Sequence, residues 1–209
     1  MELASIGSEA DRILKTFGPA ARVESWNHVT QCKAAVYDFS MAHLEFEQWV
    51  PFPVERVFLF FADPENLPRI MPPSTGARNV KVLLARPVSF PAEANFTQPI
   101  AGEGSQIVTS FRALPFLPIR LSWTASIIEF KWNGCFADDQ TRGPFRRFRH
   151  RHHFLRSERN GTDGTIIHDV IDYEAGFGVL GVLAERLFIS RMLKSVFEYR
   201  QHAAEQLLR

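Results

Sequence analysis

From Leu44 onward the chain reads as a series of short alternating or helical patterns, each closed by proline or glycine. Leu44-Glu45-Phe46-Glu47-Gln48-Trp49-Val50 alternates with a period of two, which predicts a strand. Pro51-Phe52-Pro53 ends it, and Pro53 is placed as the first residue of a helix that carries Val54, Val57, Phe58 and Phe61 on one side. A second short helix is predicted after Asp63-Pro64, with Asp63 as N-cap and Leu67 and Ile70 as its apolar side. Pro72-Pro73 stops it.

Strands follow over Asn79–Leu84, Ser105–Leu114, Ile119–Lys131 and Gly134–Gln140, rich in β-branched and aromatic residues. Arg86 to Gly104 is an irregular connection. Pro115 and Pro118 frame a turn, and Arg142-Gly143-Pro144 makes another. The pattern is clearest from Phe145 to Ser157. There Phe148, His150, His152 and Phe154 share one face, while Arg147, Arg149, Arg151 and His153 share the other. Such a strand is expected to turn its arginines to water and its aromatics and imidazoles inward. Asn160–Gly164 is a hairpin loop, and Thr165–Tyr173 returns with Ile167, Asp169, Ile171 and Tyr173 on one face. After Gly176 to Gly178, Val179 to about Leu208 reads as one long helix, apolar over a wide arc in its first half. Strands first and a long helix last predict an α+β fold, a curved antiparallel sheet closed by the C-terminal helix.

Residues 1–43 follow a different pattern and form an extension of uncertain order, with a short helix over Glu9–Phe17 capped by Ser8. The domain proper is taken as 44–209, and Met41 is a candidate start. Cys32 and Cys135, the only cysteines, point away from a disulfide framework and toward a reducing compartment. No segment reaches the roughly 18–20 apolar residues that span a bilayer, and no secretory leader is evident. Cytoplasm is therefore expected. A net charge of +1 gives no general attraction to nucleic acid, so none is expected as a partner. The 19 phenylalanines suit a thick core or an aromatic-walled cavity.

Two consecutive inward imidazoles are unusual in a packed core, because each needs a hydrogen-bond partner. His150 and His152 are either satisfied by neighbouring carboxylates or face a cavity, where they orient a ligand or move protons. Asp169 lies across the hairpin as a candidate partner, in a structural ion pair or a polar floor. The ring of Tyr173 packs, and its hydroxyl can reach a ligand or a loop carbonyl. His-x-His with Asp169 would suit a metal, but no Cys cluster or second His pair supports one, and none is expected. Asp138 and Asp139 point to opposite faces and cannot act as a carboxylate pair, and Gln140 is expected to fix the Gly143-Pro144 turn. Gly176-Phe177-Gly178-Val179-Leu180-Gly181 matches a dinucleotide fingerprint, but no second parallel strand follows it, so no cofactor is expected. The arginine face reads as solvated.

These segments together resemble the START-like, or SRPBCC, superfamily with its helix-grip fold, in a bacterial branch of polyketide cyclase/dehydrase-like proteins. The resemblance rests on Trp49 to Phe58, Phe61 to Leu67, Met71-Pro72-Pro73, Asp139-Gln140 before Gly143-Pro144-Phe145, the Phe148/His150/His152/Phe154 alternation, Asp169 to Tyr173, and Gly178-Val179-Leu180-Gly181. It implies a hydrophobic small molecule (a lipid, polyketide or isoprenoid) bound under the terminal helix, without implying one reaction. With the alternation, it gives walls from Phe111, Trp123, Phe148, Phe154, Ile167, Ile171, Leu183, Leu187 and Phe188, and polar groups from His150, His152, Asp169 and Tyr173. Two rivals stay open. One is a cyclase or dehydratase using His150 or His152 as acid and base. The other is a protein or RNA interaction module that uses the outer arginines. Oligomeric state is not read from the sequence.

Overall fold

A computed structural model describes the backbone of residues 21–23 and, in full, residues 41–87, 98–112, 119–176 and 188–209. Strand β1 is Ala21–Val23 and β2 is Ala42–Val50. Helix α1, Val54–Ala62, follows, and then three 3-10 turns at Pro64–Asn66, Pro68–Ile70 and Pro73–Thr75. Strands β3 to β8 are Arg78–Leu83, Gln106–Phe111, Leu121–Lys131, Cys135–Arg142, Arg147–Arg159 and Thr162–Glu174. Helix α2, Ser190–Leu208, ends the chain. This is the expected α+β helix-grip architecture.

The strands are antiparallel in the order β2-β8-β7-β6-β5-β4-β3. The β7–β8 hairpin is the spine, paired continuously from Arg147↔Glu174 to Arg159↔Thr162. β6 pairs with β7 only as far as Cys135↔His153, and β1 takes up the edge beyond it at Ser157–Arg159. Part of the expected appendage thus belongs to the sheet. The pairing register shifts at Thr124/Ala125 and Ile127/Glu129 in β5, and at Asn79/Lys81 in β3, the mark of β-bulges.

Several local expectations are corrected. Pro53 stands just before α1, its carbonyl accepting from the backbone N–H of Arg56 and Val57. The second short helix is a run of 3-10 turns, because prolines at 64, 68, 72 and 73 remove the donors an α-helix needs. Asp63 does cap the first turn, accepting from the backbone N–H of Glu65 at 2.9 Å. The hairpin loop is only Asn160-Gly161, both at positive φ (52° and 75°), the signature of a tight I′ turn. Gly164 lies inside β8 instead, where a Cβ would come within 2.5 Å of the Val50 carbonyl. Of the long helix, Ser190–Leu208 is described. The fingerprint glycines after Gly176, the Pro115/Pro118 turn, Cys32 and the expected helix over residues 9–17 lie outside the described residues.

The outer face of β7 and β8 is not fully solvated. Arg147 and Arg149 are exposed, but Arg151 is 6% exposed, and Ile166, His168 and Val170 beside it are buried. Arg151 tolerates this because it is paired with Asp172, which neutralises it. Cys135, on the same face, is disulfide-bonded. That bond departs from the expectation that the cysteines form no disulfide framework. No helix among the described residues is long and apolar enough to cross a membrane.

The inner core has two parts. Near the start of α1, Val54, Val57 and Phe58 pack with Val50, Phe136, Phe154, Ile167 and Leu208. At the other end Phe148, Ile171 and Tyr173 pack with Leu193 and Phe197 of α2. Phe58 is the hub of the first, fully buried with the rings of Phe130, Trp132 and Phe154 at 5.3, 5.5 and 5.4 Å. Phe58→Ala is expected to cost about 3–5 kcal/mol in urea unfolding. Phe188→Ala, at a position 49% exposed, should cost far less. Equal losses would show that the hub is misplaced.

Candidate functional site

Between the two core clusters the inner face of the sheet and α2 do not meet. They enclose a cavity of about 690 Å³. Its roof is the end of α1 and the 3-10 turns, with Phe60, Phe61, Leu67, Ile70 and Met71. The sheet supplies Ile107, Phe111, Trp123, Ile127, Phe136 and Phe148, and α2 supplies Met192, Leu193, Val196 and Phe197. Aromatic rings brace one another along the wall: Trp123 meets Phe148 edge-on at 4.6 Å and Phe111 at 6.3 Å.

The polar floor follows from sheet register. Asp138 lies opposite His150, Phe136 opposite His152, and His152 opposite Asp169. All of them point to the inner face. His150 and His152, each 4% exposed, stand with ring centres 3.9 Å apart. His150 Nε2 lies 3.1 Å and His152 Nδ1 2.5 Å from the same Asp169 oxygen. One carboxylate therefore orients both rings. His150 presents Nδ1 to Asp138, at 3.9 Å. Phe136 lies against His152 at 4.5 Å, and Phe197 meets His150 edge-on at 5.2 Å.

Burial pushes His150 down from 6.5 to about 3, with neighbouring His152 adding to the effect. The neutral ring donates from Nε2 to Asp169 and leaves Nδ1 as an acceptor. Burial pushes the Asp138 carboxyl up from 3.8 to about 6. For Asp169 burial works upward too, but the pull of His152 and the hydrogen bond from His150 outweigh it and hold the carboxyl well below its ordinary value. On the outer face, burial and the nearby His168 push His153 down to about 3. Arg200 completes the floor from α2, its guanidinium over the Phe197 ring at 4.6 Å.

Of the residues read from sequence, Phe111, Trp123, Phe148, His150, His152 and Phe188 line the cavity. Asp169 lies beneath the imidazoles. Phe154 and Ile167 pack into the core around Phe58, and Ile171 and Tyr173 into the core behind Phe148, so these four support the wall without lining it. Leu183 and Leu187 lie outside the described residues. Gln140 holds the turn as expected, exchanging hydrogen bonds with the Phe145 backbone at 2.7 and 3.3 Å. The sequence reading weighed Asp138 only as half of a pair with Asp139 and set it aside, and it missed Arg200. Arg200 had a signal: it continues the helical stripe of Met192, Leu193, Val196 and Phe197.

One ligand atom from each of Asp138, His150 and His152 lies within 4.8 Å of the others, a set that could hold a divalent metal. Arg200 places a positive charge at the same floor, which works against a cation there and for an anion.

The family model described as polyketide cyclase / dehydrase and lipid transport matches residues 50–195. No curated protein matches the chain. Among solved structures, TTHA0849 of Thermus thermophilus superposes with a TM-score of 0.54 at 17% identity, over 80% of this chain and 97% of that one. Major latex-like protein 151 of Panax ginseng gives 0.51 at 12%, over 80% and 97%. Norcoclaurine synthase of Thalictrum flavum gives 0.51 at 13%, over 81% and 88%. At these identities the likeness is one of fold.

The shifted groups make stability depend on pH. Between about 3 and 6.5 the unfolded chain protonates His150 and His153 while the folded protein does not, so stability falls as pH drops below about 6.5. Asp138 acts in the opposite sense, since its folded carboxyl takes up a proton near 6 and its unfolded one near 3.8. Two losses outweigh one gain. The urea midpoint should be lower at pH 5 than at pH 7, and Asp138→Asn, which removes the offset, should steepen the fall. A midpoint that rises on acidification would contradict the burial of both imidazoles.

Proposed function

Because the chain belongs to the polyketide cyclase / dehydrase and lipid transport family, we propose that it is a carrier or sensor of a small hydrophobic or aromatic molecule, of the lipid, polyketide or isoprenoid class. The guest sits between the sheet and α2. The observation that carries this reading is the cavity of about 690 Å³ with a largely apolar wall, a volume within the range of sites that enclose drug-sized molecules. Each 100 Å² of apolar guest surface removed from water contributes about 2.5 kcal/mol before the costs of association. Few polar groups are needed for affinity, and those on the floor serve orientation. The site residues of this reading are the lining aromatics and α2 side chains, with His150, His152, Asp138 and Arg200 as its polar end.

One observation favours an enzyme as the second reading. Asp138 faces the cavity with its carboxyl pushed up to about 6, in range to give and take a proton near neutrality. His150, pushed down to about 3 and bound to Asp169, is poorly suited to be a base. In a cyclase or dehydratase on this scaffold, Asp138 moves the proton. The interaction-module reading has less support, because the outer arginines are engaged: Arg149 grips Asp139 at 2.7 and 2.8 Å, Arg151 pairs with Asp172, and Arg146 with Glu174 at 2.8 Å.

Native mass spectrometry of freshly purified protein, with organic extraction of bound material, tests the binding reading. A retained hydrophobic molecule at one per chain is expected. Val196→Trp, which fills the cavity from α2, should reduce its occupancy at least about tenfold, with the circular dichroism spectrum unchanged. No guest in the wild-type protein, and no binding of added aromatic or lipid probes, would overturn the reading.

A further inference from the structure

A guanidinium carries five N–H donors, and Arg200 turns its own, half-buried, to the cavity wall. Arg200 lines the cavity and stacks on Phe197, yet it makes no hydrogen bond and no ion pair within 4.0 Å among the described residues. Other arginines of the domain do so: Arg69 donates to Asn66 at 2.6 Å, Arg120 to Ser110 at 2.9 Å and Arg149 to Asp139 at 2.7 Å. The charges of Asp169 and Asp138 attract the guanidinium from the floor, but neither carboxylate forms an ion pair with it.

The position of Arg200 in the fold matters as much as its charge. It sits one turn beyond Val196 on the α2 stripe that otherwise carries Met192, Leu193, Val196 and Phe197. Every neighbour on that stripe presents an apolar side chain to the cavity. A planar, always-charged fork at the end of an apolar tunnel wall matches a planar pair of acceptor oxygens at the end of an apolar molecule.

The geometry points to Arg200 as the head-group site of the cavity: the guest is an amphipathic acid whose carboxylate, or an equivalent acidic enolate, is held by the Arg200 guanidinium while its hydrophobic body lies along the aromatic wall. The assignment rests on the binding reading above and narrows it to one chemical class.

The test pairs two probes of equal shape and different head, 2-naphthoate and 2-naphthamide, titrated calorimetrically at neutral pH. Wild-type protein is expected to prefer the acid by about tenfold or more, the range of a charge-assisted hydrogen bond. Arg200→Met should erase that preference while leaving the amide's affinity within about threefold. Arg200→Lys should keep part of the preference. Equal binding of the two probes by the wild-type protein would overturn the assignment without a variant being needed, and so would a preference that survives in Arg200→Met. In both cases the binding reading stands. If neither probe binds, the guest retained on native mass spectrometry decides: one without an acidic group overturns the assignment alone, and no guest at all, with no lipid probe bound either, overturns the binding reading and this one with it.

Discussion

A carboxylate in the middle of a sheet must be answered by donors, and here Asp169 is answered by two imidazoles from the neighbouring strand. Leaving such a charge without partners costs roughly 3–5 kcal/mol, a large share of a domain's stability. The constraint fixes more than one contact. It needs β7 and β8 in the observed register, because a slip of one residue would send Asp169 outward and leave its partners inward. It needs both rings turned to one oxygen, which leaves His150 Nδ1 facing Asp138 and His152 against Phe136. The polar end of the cavity is thus laid out by the demand of one buried group.

Hollowness has a different origin. Large side chains gather at either end of the contact between sheet and α2: Phe58 with its ring partners at one, Phe148, Tyr173, Leu193 and Phe197 at the other. Close packing at both ends props the middle open. The wall residues are themselves braced ring against ring, which holds the shape of the space between them.

Much of this was legible in the alternation of the chain. Period-two runs placed Phe148, His150, His152, Ile167 and Asp169 on one face, and they share it. Inward direction was readable; distance from the cavity was not. Phe154, Ile167, Ile171 and Tyr173 point the same way as His150 but lie within the two packed clusters, because lining depends on which residues stand opposite α2 and α1. Asp138 was weighed only against its neighbour Asp139 for a related reason: nothing local says that β6 pairs with β7 so as to put it opposite His150. Arg151 reversed the expectation for an exposed arginine because its partner, Asp172, is remote in sequence. Cys135 did the same for the thiols.

A guest that enters an apolar cavity of the folded form alone gains dispersion contacts there and stabilises that form by mass action. At a hundredfold excess over its dissociation constant, a guest adds about 2.7 kcal/mol to the folded state. In a cell, where the small unfolded fraction is what proteases remove, such a shift changes abundance several-fold. The chain's lifetime would then register how much guest is being made, with no hinge, lid or second conformation required. A void in the packing would be enough to serve as a gauge of supply.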